Sequence, residues 1–322
     1  MRRILIDTDT GGDDAVALIM ALREPSVKVE AVTTVMGNVN TEQATINALI
    51  SIERAGTYAP PVYKGLTNGI INEPLVGKDY TIHGRDGMGD LGLSAPKLQA
   101  EKEHAIDFLI RYIEENPGEL ELVTLGPVTN IAWIALRSPG TLAKLKRIYM
   151  MMGTGPYFGN ATPLSEGNAR MDPEALAIVL REAGTEIVLA GWNLCINEYL
   201  FRQDDLDKMR NSGSELARFS VDINHNLIEL NALRFKDDVL DMADPVAMAV
   251  ALDPTLITES VTAYTQVETS KSLAYGAIAV DHIGQTGRKP NATTVISIDG
   301  PRMKVFIYKH IVCKEYSYVR SK

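Results

Sequence analysis

Residues 7–15 read "DTDTGGDDA", so that Asp7, Asp9, Asp13 and Asp14 fall within eight residues, directly after the apolar run Ile4-Leu5-Ile6. Two carboxylates about 4 Å apart repel by roughly 4 kcal/mol at an effective dielectric of about 20. A fold that converges them must therefore place something positive there, either a proton or a metal ion. On an extended segment alternate residues share a face, which sends Asp7 and Asp9 the same way. Gly11 and Gly12 then allow a tight turn. Asp13 and Asp14 open the next helix, where the positive end of the helix dipole favours a carboxylate by about 0.3–1 kcal/mol. The dipole explains Asp13 taken alone; it does not explain Asp7 and Asp9. For the group, a hard divalent cation is the better account, since calcium takes about six to eight oxygen ligands in a tolerant geometry. No EF-hand spacing occurs, so such a site is assembled from distant segments. Three carry suitable oxygen donors: "TLGPVTN" (124–130), "GNATPLSEGNARMDPEA" (159–175) and "MADPVAMA" (242–249).

The elements that must position these residues follow from hydrophobic patterning. Short runs rich in Val and Ile alternate with stretches of helical period, which predicts a parallel sheet covered by helices. Strands are expected at Arg3–Ile6, Val29–Thr34, Leu120–Thr124, Ile148–Met151 and Ile187–Ala190. Helices are expected at Asp13–Leu22, Thr41–Ala55, Glu103–Glu115, Val128–Ser138, Pro173–Ala183, Gln203–Arg210, Gly213–Leu233 and Pro245–Leu252. The order predicts an α/β doubly wound, mostly parallel central sheet, with ligands outside the carboxyl ends of the strands where the strand order reverses. Beyond Asp253 the texture turns β-like at Val261–Gln266, Thr293–Ile298 and Lys304–Ile311. These runs predict a small C-terminal antiparallel β appendage. No Pro/Gly/Ser-rich linker precedes it, so residues 1–322 are expected to form a single domain. Residues Gly65–Lys97 are glycine-rich and loop-like, as a lid or binding loop would be.

A formal charge of −9 with no basic stripe argues against a nucleic-acid partner. No apolar stretch is long enough to span a membrane, and aspartates interrupt the N-terminal run too early for a signal-peptide core. A cytoplasmic location is expected. In that compartment the "NAT" triplets at Asn160 and Asn291 are not glycosylation sites, and Cys195 and Cys313 are packing residues rather than a disulfide framework.

The chain resembles the nucleoside hydrolases, calcium-dependent enzymes that cleave the N-glycosidic bond of ribonucleosides. "DTDTGGDDA" is similar to the family signature DxDPGxDDA, and "TTVMGN" (33–38), "HGRDGMG" (83–89), "TLGPVTNIA" (124–132), "EGN" (166–168) and "ADP" (243–245) follow in the family's order. The resemblance implies that Ca2+ is held by the carboxylates of Asp9, Asp14 and Asp244 and by the backbone carbonyl of Leu125. It implies that Asp9 is the general base toward a calcium-bound water, and that Asp13, Asn38, Asn160, Glu166 and Asn168 hold the ribose hydroxyls. Asp7 matches a position that supports the site, and His83 one near the leaving base. The substrate is then a small ribonucleoside, and relatives commonly form homodimers or homotetramers. Departure of a nucleobase leaves an oxocarbenium-like sugar. A cation lowers the pKa of the attacking water, and a carboxylate beside that water completes general-base activation.

Two positions depart from the family pattern. Thr10 stands where proline is usual, and Ala243 where the best-known branch has a histidine that protonates the leaving base. Alanine has no proton to give. His225, in "DINHNLIELN", is the candidate substitute, its alternative role being helix packing; Trp192 and Asn193 follow a strand and are candidates for the base pocket. Two other functions compete with hydrolysis. One is a calcium-dependent ribose or nucleoside binder that lost its chemistry with the histidine. The other is a phosphatase of the haloacid dehalogenase type, whose DxDxT opening "DTDTG" imitates.

Overall fold

The run of Arg2 to Thr8 forms β1, a strand whose last five residues are buried. Leu5 packs into one hydrophobic core and Ile4 and Ile6 into another, so both faces of the strand are covered, as a central parallel strand requires. The computed structural model describes residues 1–71 and 82–312. After β1 come α1 (Gly12–Arg23), β2 (Val27–Thr34), α2 (Thr41–Ala55), β3 (Val62–Lys64), α3 (Ala105–Glu115), β4 (Leu120–Thr124) and α4 (Thr129–Arg137). Then follow β5 (Arg147–Met150), α5 (Gly167–Met171), α6 (Pro173–Glu182), β6 (Glu186–Leu189), α7 (Gln203–Asn211), α8 (Glu215–Asp222), α9 (His225–Phe235) and α10 (Ala243–Leu252). The chain continues through β7 (Ile257–Ala263), β8 (Thr265–Val267), β9 (Ile278–Val280), β10 (Ala292–Ile298) and α11 (Gly300–Val312).

Among the described residues the main sheet has eight strands in the order β3-β2-β1-β4-β5-β6-β10-β7, all parallel except β7. The chain winds outward from β1 through β2 to β3, then returns to β4 on the other side of β1. The order therefore reverses between β1 and β4, where Asp7 stands opposite Thr124. A crevice opens at the carboxyl ends of strands at such a point. Helices α2, α8, α10 and α11 pack on α1 on one face, while α3, α4 and α6 form a layer on the other. Helix α1 is buried from Gly12 through Leu22. Each of its Val, Leu, Ile and Met side chains gains about 1.5–3 kcal/mol by leaving water. That burial fixes the end of the helix that carries Asp13 and Asp14.

The α/β doubly wound expectation is met, and its five strands and first six helices lie within two residues of their expected bounds. The C-terminal part differs in its construction. The β10 segment enters the main sheet beside β6, and β7 pairs antiparallel with β10. The small antiparallel sheet is instead β8 with β9. Residues Lys304–Ile311, expected as a strand, lie in α11. Their β-branched and aromatic residues suggest a strand. However, Met303, Ile307, His310 and Ile311 are the buried ones, a helical spacing. Asp299 precedes this helix and accepts from the Arg302 N–H, and Pro301 sits in its first turn. The single helix expected over Gly213–Leu233 is broken at Ile223 and Asn224. Asn224 turns its amide back to the Ser220 carbonyl, a local bond that competes with helix continuation. The three-residue edge strand β3 escaped the pattern entirely. Part of the Gly65–Lys97 loop and Cys313 lie outside the described residues. Within those residues no helix is long and apolar enough to cross a membrane.

Candidate active site

Asp7 lies on the side of β1 that faces α4. Its Oδ1 accepts from Thr33 Oγ1 of β2 and from Asn130 Nδ2 of α4 at 2.8 Å. Burial pushes its carboxyl up to about 7 against those two hydrogen bonds. Asp7 thus ties three elements together beneath the site and stays out of the acidic cluster.

The strand ends at Thr8, so alternation no longer governs Asp9. Its Oδ2 accepts from the Asn38 N–H at 2.6 Å, and its Oδ1 is buried with no hydrogen-bond partner among the described residues. Two glycines make room for this carboxylate. A Cβ on Gly37 would lie 1.8 Å from Asp9 Oδ2, and one on Gly126 would lie 2.5 Å from Asp9 Oδ1. The glycines of "TTVMGN" and "TLGPVTN" are there because the backbone must approach Asp9 closely.

Asp14 is held from three sides. Thr8 Oγ1 donates to its Oδ1 at 2.6 Å, and the Gly11 N–H and Asn38 Nδ2 donate to its Oδ2 at 2.8 and 3.0 Å. The Thr10 N–H in turn donates to Thr8 Oγ1 at 3.1 Å, a bond that the proline usual at this position could not make. Among the described residues Asp13 is sparsely partnered: the Asp244 N–H reaches its Oδ2 at 3.5 Å, and its Oδ1 has no hydrogen bond. Asp244 enters from the first turn of α10. One carboxylate oxygen from each of Asp13, Asp14 and Asp244 lies within 4.8 Å of the others. All three side chains are buried. At that spacing each pair repels by about 3 kcal/mol at an effective dielectric near 20. Burial first, then the neighbouring Asp13, Asp14 and Asp9 charges, pushes the Asp244 carboxyl far up. Burial and Asp14 do the same to Asp9, and burial and Asp14 raise Asp13 to about 8. An all-oxygen set with two orphaned buried oxygens fits a hard cation.

A second group of polar side chains comes from the stretch after β5. Glu166 caps α5, accepting from the Asn168 N–H at 2.6 Å, from the Ala169 N–H at 3.1 Å and from the Gly153 N–H at 3.1 Å. Burial raises its carboxyl to about 7 against those bonds. Asn160 Oδ1 accepts from the Gly167 N–H at 2.9 Å. Asn168 Nδ2 donates to the Leu125 carbonyl at 2.6 Å and to the Met151 carbonyl at 3.1 Å. The structure therefore joins Asn168 to Leu125, and Asn38 to both Asp9 and Asp14.

His83 is buried with Nε2 3.8 Å from Asp13 Oδ1, and burial pulls its pKa down against the charges of Asp14 and Asp241. His225 is the first residue of α9 and lies against Gly89 on the same loop, one ring nitrogen sharing a 2.9 Å hydrogen bond with the Asp222 carbonyl. Ala243 opens α10 beside Asp244, with no polar side chain. Asn193 Nδ2 donates to the Val295 and Ile296 carbonyls of β10, a packing role.

Sequence reasoning passed over Asp241. It is buried, accepts from Trp192 Nε1 at 2.9 Å and from Asn231 Nδ2 at 2.6 Å, and its charge is felt at Asp13 and His83. The signal available was a second carboxylate three residues before Asp244 in "LDMADP".

Residues 4–305 match the family described as inosine-uridine preferring nucleoside hydrolase. A probable uridine nucleosidase 2 from Oryza sativa subsp. japonica is 37% identical over 262 residues, covering 80% of this chain and 75% of its own. Among solved structures, a plant nucleoside hydrolase superposes with a TM-score of 0.88 at 28% identity, over 97% of this chain and 99% of that one. A purine-preferring ribonucleoside hydrolase from Gardnerella vaginalis gives a TM-score of 0.88 at 27% identity, over 97% and 98%.

Proposed function

Because the chain belongs to the inosine-uridine preferring nucleoside hydrolase family and is a ribonucleoside N-glycosidase, we propose that it works with calcium, Asp9 serving as general base. The observation that carries this reading is the convergence of buried Asp13, Asp14 and Asp244 oxygens within 4.8 Å of one another. Such a cluster is stable in ionised form only around a cation. Calcium, when bound, supplies positive charge that acidifies a water molecule and steadies the sugar. Asp14 and Asp244 of that cluster, together with Asp9 and the Leu125 carbonyl as the resemblance implies, would hold it, while Asp13 of the same cluster would turn to the sugar. Asp9 Oδ1, which has no hydrogen-bond partner among the described residues, is the oxygen that would take the proton of the attacking water.

Asp13, Asn38, Asn160, Glu166 and Asn168 would orient the ribose hydroxyls. Asn160 offers hydrogens, whereas Asn168 and Asp13 have acceptor oxygens to spare. His83, within the loop, and His225, packed against the loop at Gly89, would serve the leaving base, His83 being the one against Asp13. With Ala243 unable to donate a proton, bases that leave easily are favoured.

Neither a binder nor a phosphatase is favoured by the relatives. The phosphatase reading also needs Asp7 as an accessible nucleophile, and Asp7 is fully buried, its Oδ1 held by Thr33 and Asn130. The reading takes residues 1–322 as one cytoplasmic unit acting on free nucleosides, without nucleic acid or membrane, as a homodimer or homotetramer. Support for self-association comes from Trp133 and Leu136, neighbours on α4 that are 42% and 46% exposed.

The test is ribose release from purine, pyrimidine and nicotinamide ribosides, in calcium and again after chelation. Chelator-sensitive release is expected, and the ranking of bases reports how the site manages with Ala243. Release that survives chelation would overturn the calcium assignment.

A further inference from the structure

We propose that Asn168 is a positioning residue for the metal, acting through the carbonyl of Leu125, in addition to any contact it makes with the sugar. The inference rests on the reading of the Leu125 carbonyl as a metal ligand. A side-chain amide nitrogen carries two hydrogens. Those of Asn168 go to the Leu125 carbonyl at 2.6 Å and the Met151 carbonyl at 3.1 Å. These carbonyls stand just past the carboxyl ends of β4 and β5, so one amide clamps two neighbouring strand ends.

The Leu125 peptide is held at both of its polar atoms. Its N–H donates to the Asp7 carbonyl of β1 at 2.8 Å, and its oxygen accepts from Asn168. A carbonyl oxygen has two lone pairs. Asn168 engages one and thereby sets the direction of the other. Asn168 is itself fixed from behind by Glu166, which accepts from the Asn168 and Gly153 N–H groups, so the short helix α5 cannot shift without moving the carbonyl. Hydrogen-bonded partners that orient metal ligands in this way typically matter 10- to 100-fold in metal affinity. A residue that touched only the sugar would leave metal affinity unchanged while no sugar is present.

The experiment is calcium binding by the full chain in the absence of any nucleoside, by competition with a fluorescent chelator. Two variants are compared with wild type, and each is checked for folding by thermal unfolding in chelator. Asn168→Ala is expected to weaken calcium binding about 10- to 100-fold. Asn168→Asp keeps the size and an acceptor oxygen but cannot donate to Leu125. It is expected to bind calcium more weakly than wild type despite its added negative charge, and it carries the test should Asn168→Ala not fold. Affinity within twofold of wild type in Asn168→Ala, or tighter binding in Asn168→Asp, overturns the inference. Wild-type protein that binds no calcium overturns the metal assignment, and the inference with it.

Discussion

The indole N–H of Trp192 donates to Asp241 Oδ2 at 2.9 Å, and both residues are buried. Trp192 stands just beyond β6 and Asp241 just before α10, so this one bond joins the stretch after a strand to the helix that delivers Asp244. Asn231 of α9 closes the group by donating to Asp241 Oδ1 at 2.6 Å. A buried donor left without a partner costs about 1–3 kcal/mol. Asp241→Ala strands two of them and is expected to lower stability by about 2–5 kcal/mol in urea unfolding. Trp192→Phe is expected to cost less. The double variant should fall short of the sum, since both changes remove the same bond. Additive losses would mean that the bond carries no stability.

The glycines beside Asp9 make a sharper prediction, because the space is already filled. A methyl on Gly37 would lie 1.8 Å from Asp9 Oδ2. Gly37→Ala must therefore displace the proposed base, whereas overpacking by one methyl generally costs about 1–3 kcal/mol in stability. A displaced base is expected to lower kcat by about 100-fold or more, with KM moving less. A fall in stability with kcat intact would remove Asp9 from the chemistry.

Far from the site, His310 of α11 holds Glu24 at the end of α1. One ring nitrogen of His310 meets the Phe306 carbonyl at 2.7 Å and the other meets Glu24 Oε2 at 2.9 Å. The His310 contact first, with help from Ser26, holds the Glu24 carboxyl down at about 2. A carboxylate held below its ordinary value stabilises the fold fully above that ordinary value, near pH 4.3, and loses the contribution as pH falls toward 2. Glu24→Gln should flatten that acid limb of the stability curve. At neutral pH it should cost about 1.5–3 kcal/mol, the worth of a hydrogen bond to a charged group, since the Glu24 side chain is only 10% exposed. An acid limb identical to wild type would show that the pair is not the titrating element.

How much of this was legible beforehand depends on whether a residue's partner is local. The strands and buried helices carry their period in the chain, and Asp13 and Asp14 announce a helix start whatever packs on them. The capping role of Glu166 and the clamp from Asn168 to Leu125 are set by how the ends of β4 and β5 meet α5, and no spacing encodes that meeting. Asp241 was missed for the same reason, as its partners Trp192 and Asn231 lie 49 and 10 residues away. In helix α11 residue type and period conflict: Val305, Phe306 and Tyr308 favour a strand individually, while the buried Met303, Ile307, His310 and Ile311 follow a helical period. Gly37 and Gly126 carry no signal of their own in the sequence, since the reason for each is the carboxylate of Asp9, distant in the chain, that their backbones approach.

The acidic cluster makes the pH dependence of stability depend on the metal. Burial, joined at Asp13 by the Asp14 charge, raises Asp13 to about 8 and Asp7 and Glu166 to about 7 when no cation is present. Carboxyl groups raised above their ordinary values near 4 contribute most to stability below that pH. They lose the contribution as pH climbs through their folded values. Metal-free protein is therefore expected to become less stable between about pH 5 and pH 8. A cation reverses the trend, because it binds the ionised carboxylates and competes with their protons. Calcium at 100 times its Kd should add about 2.7 kcal/mol, and this gain should shrink as pH falls and protons reclaim the site. Thermal unfolding at about pH 5, 6.5 and 8, in chelator and in calcium, measures both slopes. If the metal-free protein grew more stable toward pH 8, the buried carboxylates would have to be neutralised by something other than protons or a metal ion.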